Sequence, residues 1–358
     1  MYRSLRAPMA LLGLLCASAI MPAPRAEAQA PATAAPAASE ATYRIHHTLT
    51  LKDLPTGAKK VRVWFWLPQE DESQKVLDFT VAQAPAGFRI AVDPTTGSTY
   101  LYAEVDRPDT AAIRIATDFT LCRRVPSVTL DPQRAVPLTD RHRAAFAEDL
   151  RTDVPHMVVD AKMKALADRL CGSETNVVRQ ARRLYDYVVD NNQHYSKSPA
   201  APKSSSQGDA EYCLANGGGA CTDLHSLFGA LARARGIPTR ICFGSLLKAP
   251  NEGKAMDPGY RCWVLFFVPG YGWTPADLAA ANLAPEKKDF YFGGLDARRV
   301  LFSRGRDLTL APKQDGPPVN LFIRAYVEVD GAPYTGFDRT LTFVSQPVPP
   351  AALASAAR

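Results

Sequence analysis

What this sequence lacks narrows its chemistry before any motif is read. After residue 30 no stretch stays apolar for the roughly 18 residues that a membrane-spanning helix needs, so the body of the chain predicts no integral membrane segment. Charge is nearly balanced, with 42 Lys and Arg against 36 Asp and Glu and a formal excess of +6. No block of like charge occurs, and no Lys/Arg stripe interleaves with aromatics. The electrostatic footprint of a nucleic-acid partner is missing. Six histidines and seven cysteines are present, but none fall in C-x-x-C or H-E-x-x-H spacing, so no metal is expected. Gly217–Gly219 has no Lys-Ser/Thr behind it, which removes the phosphate-loop reading, and no cofactor is expected. What is present is a large apolar share, 46% of 358 residues, enough to bury the cores of two domains.

The first residues read as an export signal covering 1–28. Arg3 and Arg6 form a basic start, Met9–Met21 is an apolar run too short to span a bilayer, and Ala26-Glu27-Ala28 is an A-x-A cleavage site. Leu15 stands before Cys16 where a lipid-attachment signal carries a small residue, so no lipid anchor is expected. A periplasmic or secreted location follows. Six cysteines then remain (Cys122, Cys171, Cys213, Cys221, Cys242 and Cys262), with their pairing open.

Residues 29–41 are an Ala/Pro tether and 346–358 a loose tail, both expected to be disordered. Over 42–125 the apolar pattern has period two. Tyr43, Ile45, His47, Leu49 and Leu51 alternate with polar residues, and Val61, Val63, Phe65 and Leu67 do the same. With turn residues between short runs, this predicts an all-β sandwich. Residues 126–345 then change character. Asp160–Leu170 and Asn176–Val189 carry helical periodicity, with Ser173 or Thr175 expected to cap the second helix. Asn191–Gly219 is polar and reads as a long loop, and Cys221–Arg235 forms a third helix. Strands follow at 240–244, 261–268 and 273–277, the last two joined by the turn Pro269–Gly272. A further hairpin is expected between Phe322–Val329 and Asp338–Val344. The fold class is α+β.

Gly217-Gly218-Gly219-Ala220-Cys221-Thr222-Asp223 opens the third helix. A cysteine there faces free N–H groups and the positive end of the helix dipole, which favour thiolate over thiol and can hold an oxyanion. The glycines would let the backbone approach a ligand closely. The plain alternative is a small buried cysteine that happens to begin a helix.

The surrounding strings change the balance. GGGACTDLHSLFGALARARGIPTRICFG and YRCWVLFFVPGYGWTPAD resemble the core of the bacterial exported transglutaminase-like proteins, a branch of the papain-like cysteine enzymes, and the resemblance runs over roughly 42–335. It implies a sandwich followed by a papain-like core of helices on an antiparallel sheet. It also implies a triad of Cys on a helix N-terminus, His on the next strand and Asp on the strand after. Cys221 matches the Cys and Asp277 the Asp. The His position, directly before Cys262-Trp263, holds Arg261. Val264-Leu265 and Ala279-Ala280 also replace polar residues of the family pattern.

A guanidinium stays protonated and cannot shuttle a proton, whereas acyl transfer from an amide needs a base and then an acid. Arg261 is expected to pair with Asp277 as a strut. Two histidines are candidate substitute bases: His225, one helical turn after Cys221, and His194 in the polar loop. The default for each is structural, a packed helix histidine and a solvated loop histidine. Tyr195 is a weak candidate oxyanion donor, and Trp263 with Trp273 a candidate cleft wall. Either Cys213 or Cys262 is placed to trap Cys221 in a disulfide. The reading is an exported, catalytically impaired protein that binds a peptide, protein or cell-envelope polymer. The alternative is an active cysteine peptidase, amidase or transamidase with a displaced histidine.

Overall fold

The computed structural model describes residues 40–108, 113–125 and 127–347. The predicted signal, most of the tether and most of the tail lie outside them. Six strands come first: β1 (Glu40–Leu51), β2 (Lys60–Trp66), β3 (Gln74–Gln83), β4 (Arg89–Val92), β5 (Thr99–Asp106) and β6 (Arg114–Arg124). A helical stretch follows with α1 (Asp140–Ala145), α2 (Ala161–Cys171) and α3 (Val177–Asn191). Next come β7 (Gln193–His194), α4 (Ala210–Asn216), β8 (Gly218–Gly219) and α5 (Cys221–Ala234). The chain continues through β9 (Thr239–Leu246), β10 (Arg261–Val268), β11 (Gly272–Ala276), α6 (Leu278–Leu283) and β12 (Arg299–Arg304). It closes with β13 (Tyr326–Val329), β14 (Ala332–Pro333) and β15 (Phe337–Gln346).

Two sheets of order β15-β1-β6-β3 and β14-β13-β2-β5-β4 make the sandwich. Its facing rows are the alternating apolar positions of β1 and β2, and the His47 ring of β1 packs 4.6 Å from Phe65 of β2. The third sheet, β11-β10-β9-β12, is antiparallel throughout and carries α5 on one face. Phe228 of α5 meets Phe266 of β10 at 5.8 Å. The layers are stitched together by Trp66 stacking on Phe302 at 4.4 Å and by Gln74, whose Oε1 accepts from the Leu301 N–H at 2.8 Å.

Several expectations are corrected. The strand pairing begins at Glu40, inside the expected tether. Asp338–Val344 does not pair with Phe322–Val329. Instead β15 runs against β1, and β13 pairs both with β14 across the Asp330-Gly331 turn and with β2. The C-terminal strands therefore complete the N-terminal sandwich. Asn176, rather than Ser173 or Thr175, caps α3, accepting from the N–H groups of Val178 (3.1 Å) and Arg179 (3.3 Å). The polar stretch Asn191–Gly219 is not a plain loop, since it contains α4 and the parallel pair β7/β8.

Candidate functional site

Cys221 is the first residue of α5, a helix buried on nearly every side. Asp223 fixes that start. Its carboxylate accepts the Ala220 N–H at 2.6 Å, and also the N–H groups of Asp209 (2.7 Å) and Ser205 (3.2 Å). This acid holds the loop to the helix and takes no further part.

The glycines before Cys221 have an occupant, and it is the chain itself. A Cβ at Gly218 would sit 2.1 Å from the Gln193 carbonyl oxygen, and one at Gly219 2.4 Å from the Asp223 carboxylate. Their φ values of +146° and +156° also disfavour a side chain. The close approach lets β7 lie beside β8, with the Tyr195 N–H donating to the Gly219 carbonyl at 2.8 Å. This pairing brings His194 beside Cys221, where it favours the thiolate. His194 is not a solvated loop residue: it is only 4% exposed. Its backbone N–H donates to Asn282 Oδ1 at 2.9 Å. Its Nδ1 accepts the Ser196 N–H at 3.3 Å and lies 2.8 Å from Ser196 Oγ. Nδ1 is therefore the unprotonated nitrogen, and Nε2–H is the donor left for Cys221.

On its other side Cys221 faces Cys262 of β10, and each thiol shifts the ionisation of the other. Thr222 Oγ1 lies 3.9 Å from Cys221 Sγ, 3.4 Å from Cys262 Sγ and 3.3 Å from the Tyr260 hydroxyl. His225 reaches Cys262 rather than Cys221, with Nδ1 3.1 Å from the Cys262 sulfur. The Leu278 N–H donates to His225 Nε2 at 3.1 Å, so Nδ1 carries the proton and donates to sulfur. The Cys262 S–H is then free to point at Cys221. Cys262 is the largest influence holding the Cys221 thiol well below its ordinary pKa, against burial. His194, Arg261 and His225 add to it. Cys262 moves the opposite way, pushed up by burial and by its neighbour's negative charge.

Asp277 lies just past the end of β11 and caps α6, its Oδ1 accepting from the Ala280 N–H at 2.8 Å. Its direct ion pair is with Arg299, Nη1 to Oδ2 at 3.1 Å, not with Arg261 as the sequence suggested. Arg261 acts on it at longer range, and Arg261 Nε is buried without a hydrogen-bond partner. Burial raises the Asp277 pKa, but Arg261, His225 and Arg299 together hold it far below the carboxylate range. Arg261 itself stays firmly protonated, since Asp277 and the two thiols outweigh its burial.

Cys262, His225 and Asp277 thus stand in the order of a triad, with His225 Nε2 3.5 Å from Asp277 Oδ1. Two facts disqualify it. Cys262 is fully buried, and the Leu278 N–H occupies the nitrogen that would have to donate to the carboxylate. Around Cys221 itself, Arg261 supplies charge, while His194 supplies an imidazole with no carboxylate behind it. Tyr195 is half exposed, and no hydrogen bond joins it to the thiol among the described residues. Trp263 and Trp273 do line a cavity of about 320 Å³ together, but on the face of β10 opposite Cys262. Sequence reasoning missed Arg299, Asn282 and Tyr260. Arg299 ends the polar run Asp296-Ala297-Arg298-Arg299 and Asn282 stands among apolar residues, and neither carries a catalytic pattern. Tyr260 directly precedes Arg261, so its adjacency was the available signal.

Residues 164–278 match the family model of the transglutaminase-like superfamily. That transglutaminase-like core runs from within α2 to the start of α6 and includes Cys221, His225, Arg261 and Asp277. A protein of Haemophilus influenzae, described only as uncharacterized, is 28% identical over 318 residues, covering 80% of this chain and 85% of its own. In fold, the chain is similar to a candidate cysteine protease from Cytophaga hutchinsonii, with a TM-score of 0.58 and 17% identity over 87% of this chain and 92% of that one. The periplasmic domain of TgpA from Pseudomonas aeruginosa overlaps more loosely, at TM-score 0.33 and 15% identity over 67% of this chain and 89% of that domain. Among the described residues no helix is long and apolar enough to cross a membrane.

Proposed function

We propose that this is an exported transglutaminase-like protein of the cell envelope, impaired in amide chemistry, that binds a peptide, protein or envelope polymer. In this reading Arg261 replaces the triad histidine. One observation carries it: no imidazole spans Asp277 and Cys221. The histidine beside Asp277 donates to Cys262, and the one beside Cys221 is backed by Ser196. A thiolate held by Cys262, His194 and a permanent cation is a good nucleophile toward a soft electrophile. The one imidazole beside it, His194, has Ser196 and no carboxylate behind it, and loss of a triad's acid–base help costs about 10²–10⁴ in rate. Reactivity and turnover should therefore come apart.

His194 favours the second reading, an active peptidase, amidase or transamidase. Its Nε2–H faces the thiol and could protonate a leaving amine. The test is turnover by the wild-type protein of peptide amides and of a glutamine donor with a primary amine, beside iodoacetamide alkylation of Cys221 across pH. We expect alkylation to persist below the ordinary thiol range while turnover stays at background. Turnover of roughly 1 s⁻¹, abolished by Cys221→Ala and by His194→Ala alike, would replace the impaired reading with the active one.

A further inference from the structure

Two cysteines were open by spacing as partners of Cys221, and the structure separates them. Cys213 is drawn elsewhere, its thiol donating to Asn192 Oδ1 at 3.7 Å. Cys262 shares a neighbour with Cys221, Thr222 Oγ1 lying 3.9 Å from the Cys221 sulfur and 3.4 Å from the Cys262 sulfur. Both cysteines are reduced here. The impaired or active triad gives Cys262 no task, nor does it use the proton that His225 directs at that sulfur. We propose that Cys221 and Cys262 form a redox-active dithiol that a hydroperoxide converts to a disulfide.

The two thiols are unequal in the way this chemistry requires. Cys221 retains 5% exposure and Cys262 none, so a small oxidant meets Cys221 first. It is also the thiol whose environment favours the anion, and thiolate is the attacking form. In the first step the Cys221 sulfur attacks the peroxide. An S–O bond forms, the O–O bond breaks, and the alkoxide leaves and takes up a proton, giving a sulfenic acid and an alcohol. In the second step the Cys262 sulfur attacks the Cys221 sulfur. The S–S bond forms, the S–OH bond breaks, and the departing hydroxide carries off the Cys262 proton as water. Two thiols and one hydroperoxide thus give one disulfide, one alcohol and one water.

His225 fits the second step. Its Nδ1–H, 3.1 Å from Cys262 Sγ, stabilises negative charge on that sulfur as the S–H proton departs. The tautomer is fixed by the Leu278 N–H, so the donor is in place before oxidation. The sulfurs, both held against Thr222 Oγ1, must close to about 2.0 Å. Cys221, at the first position of α5, has a backbone N–H with no intrahelical bond to break as it moves. The proposal does not rest on whether Cys221 turns over amides.

The experiment treats the reduced full-length protein with one equivalent of hydrogen peroxide, alkylates it under denaturing conditions, and maps the peptides by mass. The wild type should lose Cys221 and Cys262 together as alkylation sites, give a peptide pair joined through them, and recover both with dithiothreitol. Cys262→Ala should instead trap a dimedone-reactive sulfenic acid at Cys221 that passes to dithiothreitol-resistant acids. Cys221→Ala should leave Cys262 reduced, with circular dichroism confirming that both variants fold. The proposal is overturned if peroxide takes Cys221 to a resistant acid while Cys262 stays alkylatable in the wild type. It is equally overturned if Cys221 joins another cysteine, or if neither sulfur is oxidised. The amide assay reads separately on the triad, so failure of one reading leaves the other standing.

Discussion

Two buried histidines, one in the sandwich and one in the helical core, show how differently the same side chain is used. His47 and His225 are both fully buried. His47 lies among aromatics, its ring 4.6 Å from Phe65 and 5.2 Å from Phe302, and neither ring nitrogen has a hydrogen-bond partner. Burial first, then Arg339 and His46, hold its pKa well below the ordinary imidazole value, so it is neutral filler. His225 has a partner on each nitrogen, one a backbone donor and the other a sulfur. The sandwich tolerates an idle polar group because aromatic packing supplies its cohesion. The core around α5 is instead organised by polar groups that satisfy one another, and there each loss strands a partner.

The largest effect should come from breaking that polar set at its most charged point. Asp277→Ala removes one of the two carboxylates paired with Arg299, which is 1% exposed and keeps Asp296, together with the α6 cap. Leaving a buried charge wholly unpaired costs about 3–5 kcal/mol; with Asp296 still on Arg299, urea midpoints should show a loss near the low end, about 3 kcal/mol once the cap is counted. Asp277→Asn, which keeps an acceptor for the Ala280 N–H but removes the charge, should lose less. Equal losses in the two variants would mean that the ion pair, not the cap, carries the stability.

How much of this was legible in the sequence follows from the same contrast. The alternation of β1 and β2 and the stripe of Leu224, Leu227, Phe228 and Leu231 are repeated apolar signals, and they predicted their elements. The Pro269–Gly272 turn correctly joined β10 to β11. The partner of Asp277, however, is not the Arg261 that sequence adjacency suggests. Arg299 arrives from β12, 22 residues on, with nothing periodic to announce it. The burial of His194 depends on a backbone approach, the fit of β7 against Gly218 and Gly219, which hydrophobic patterning does not encode. Likewise α4, at seven residues, is too short to show a period. The return of β15 to β1 pairs residues nearly a whole chain apart. Repeated apolar contacts leave a trace in sequence, and single polar contacts across the fold leave almost none.

A smaller and more direct comparison applies the same replacement to both histidines. His225→Leu would leave the buried Leu278 N–H without an acceptor and Cys262 without a donor. A stranded buried donor costs about 1–3 kcal/mol, so the denaturation midpoint should fall accordingly at neutral pH. A neutral outcome would mean that another acceptor moves in, and the polar set would be less interlocked than its distances suggest.

His47→Leu should do little at neutral pH, since no hydrogen bond is lost and the volume is similar; a change under about 1.5 kcal/mol is expected. The difference should emerge in acid. In the unfolded chain His47 takes up a proton near pH 6.5, while in the folded chain its pKa lies well below that value. Between those two pKa values the unfolded state binds more protons, so stability falls as pH drops, at a limiting slope of about 1.4 kcal/mol per pH unit. The contribution is fully present above pH 6.5 and is lost progressively below it. Removing the imidazole removes this term, so the wild-type and His47→Leu curves should lie close together at pH 7.5 and diverge toward pH 5, with the variant the more resistant. Parallel curves would show that His47 finds a partner or a proton in the folded sandwich, and it would then no longer stand as the idle member of the pair.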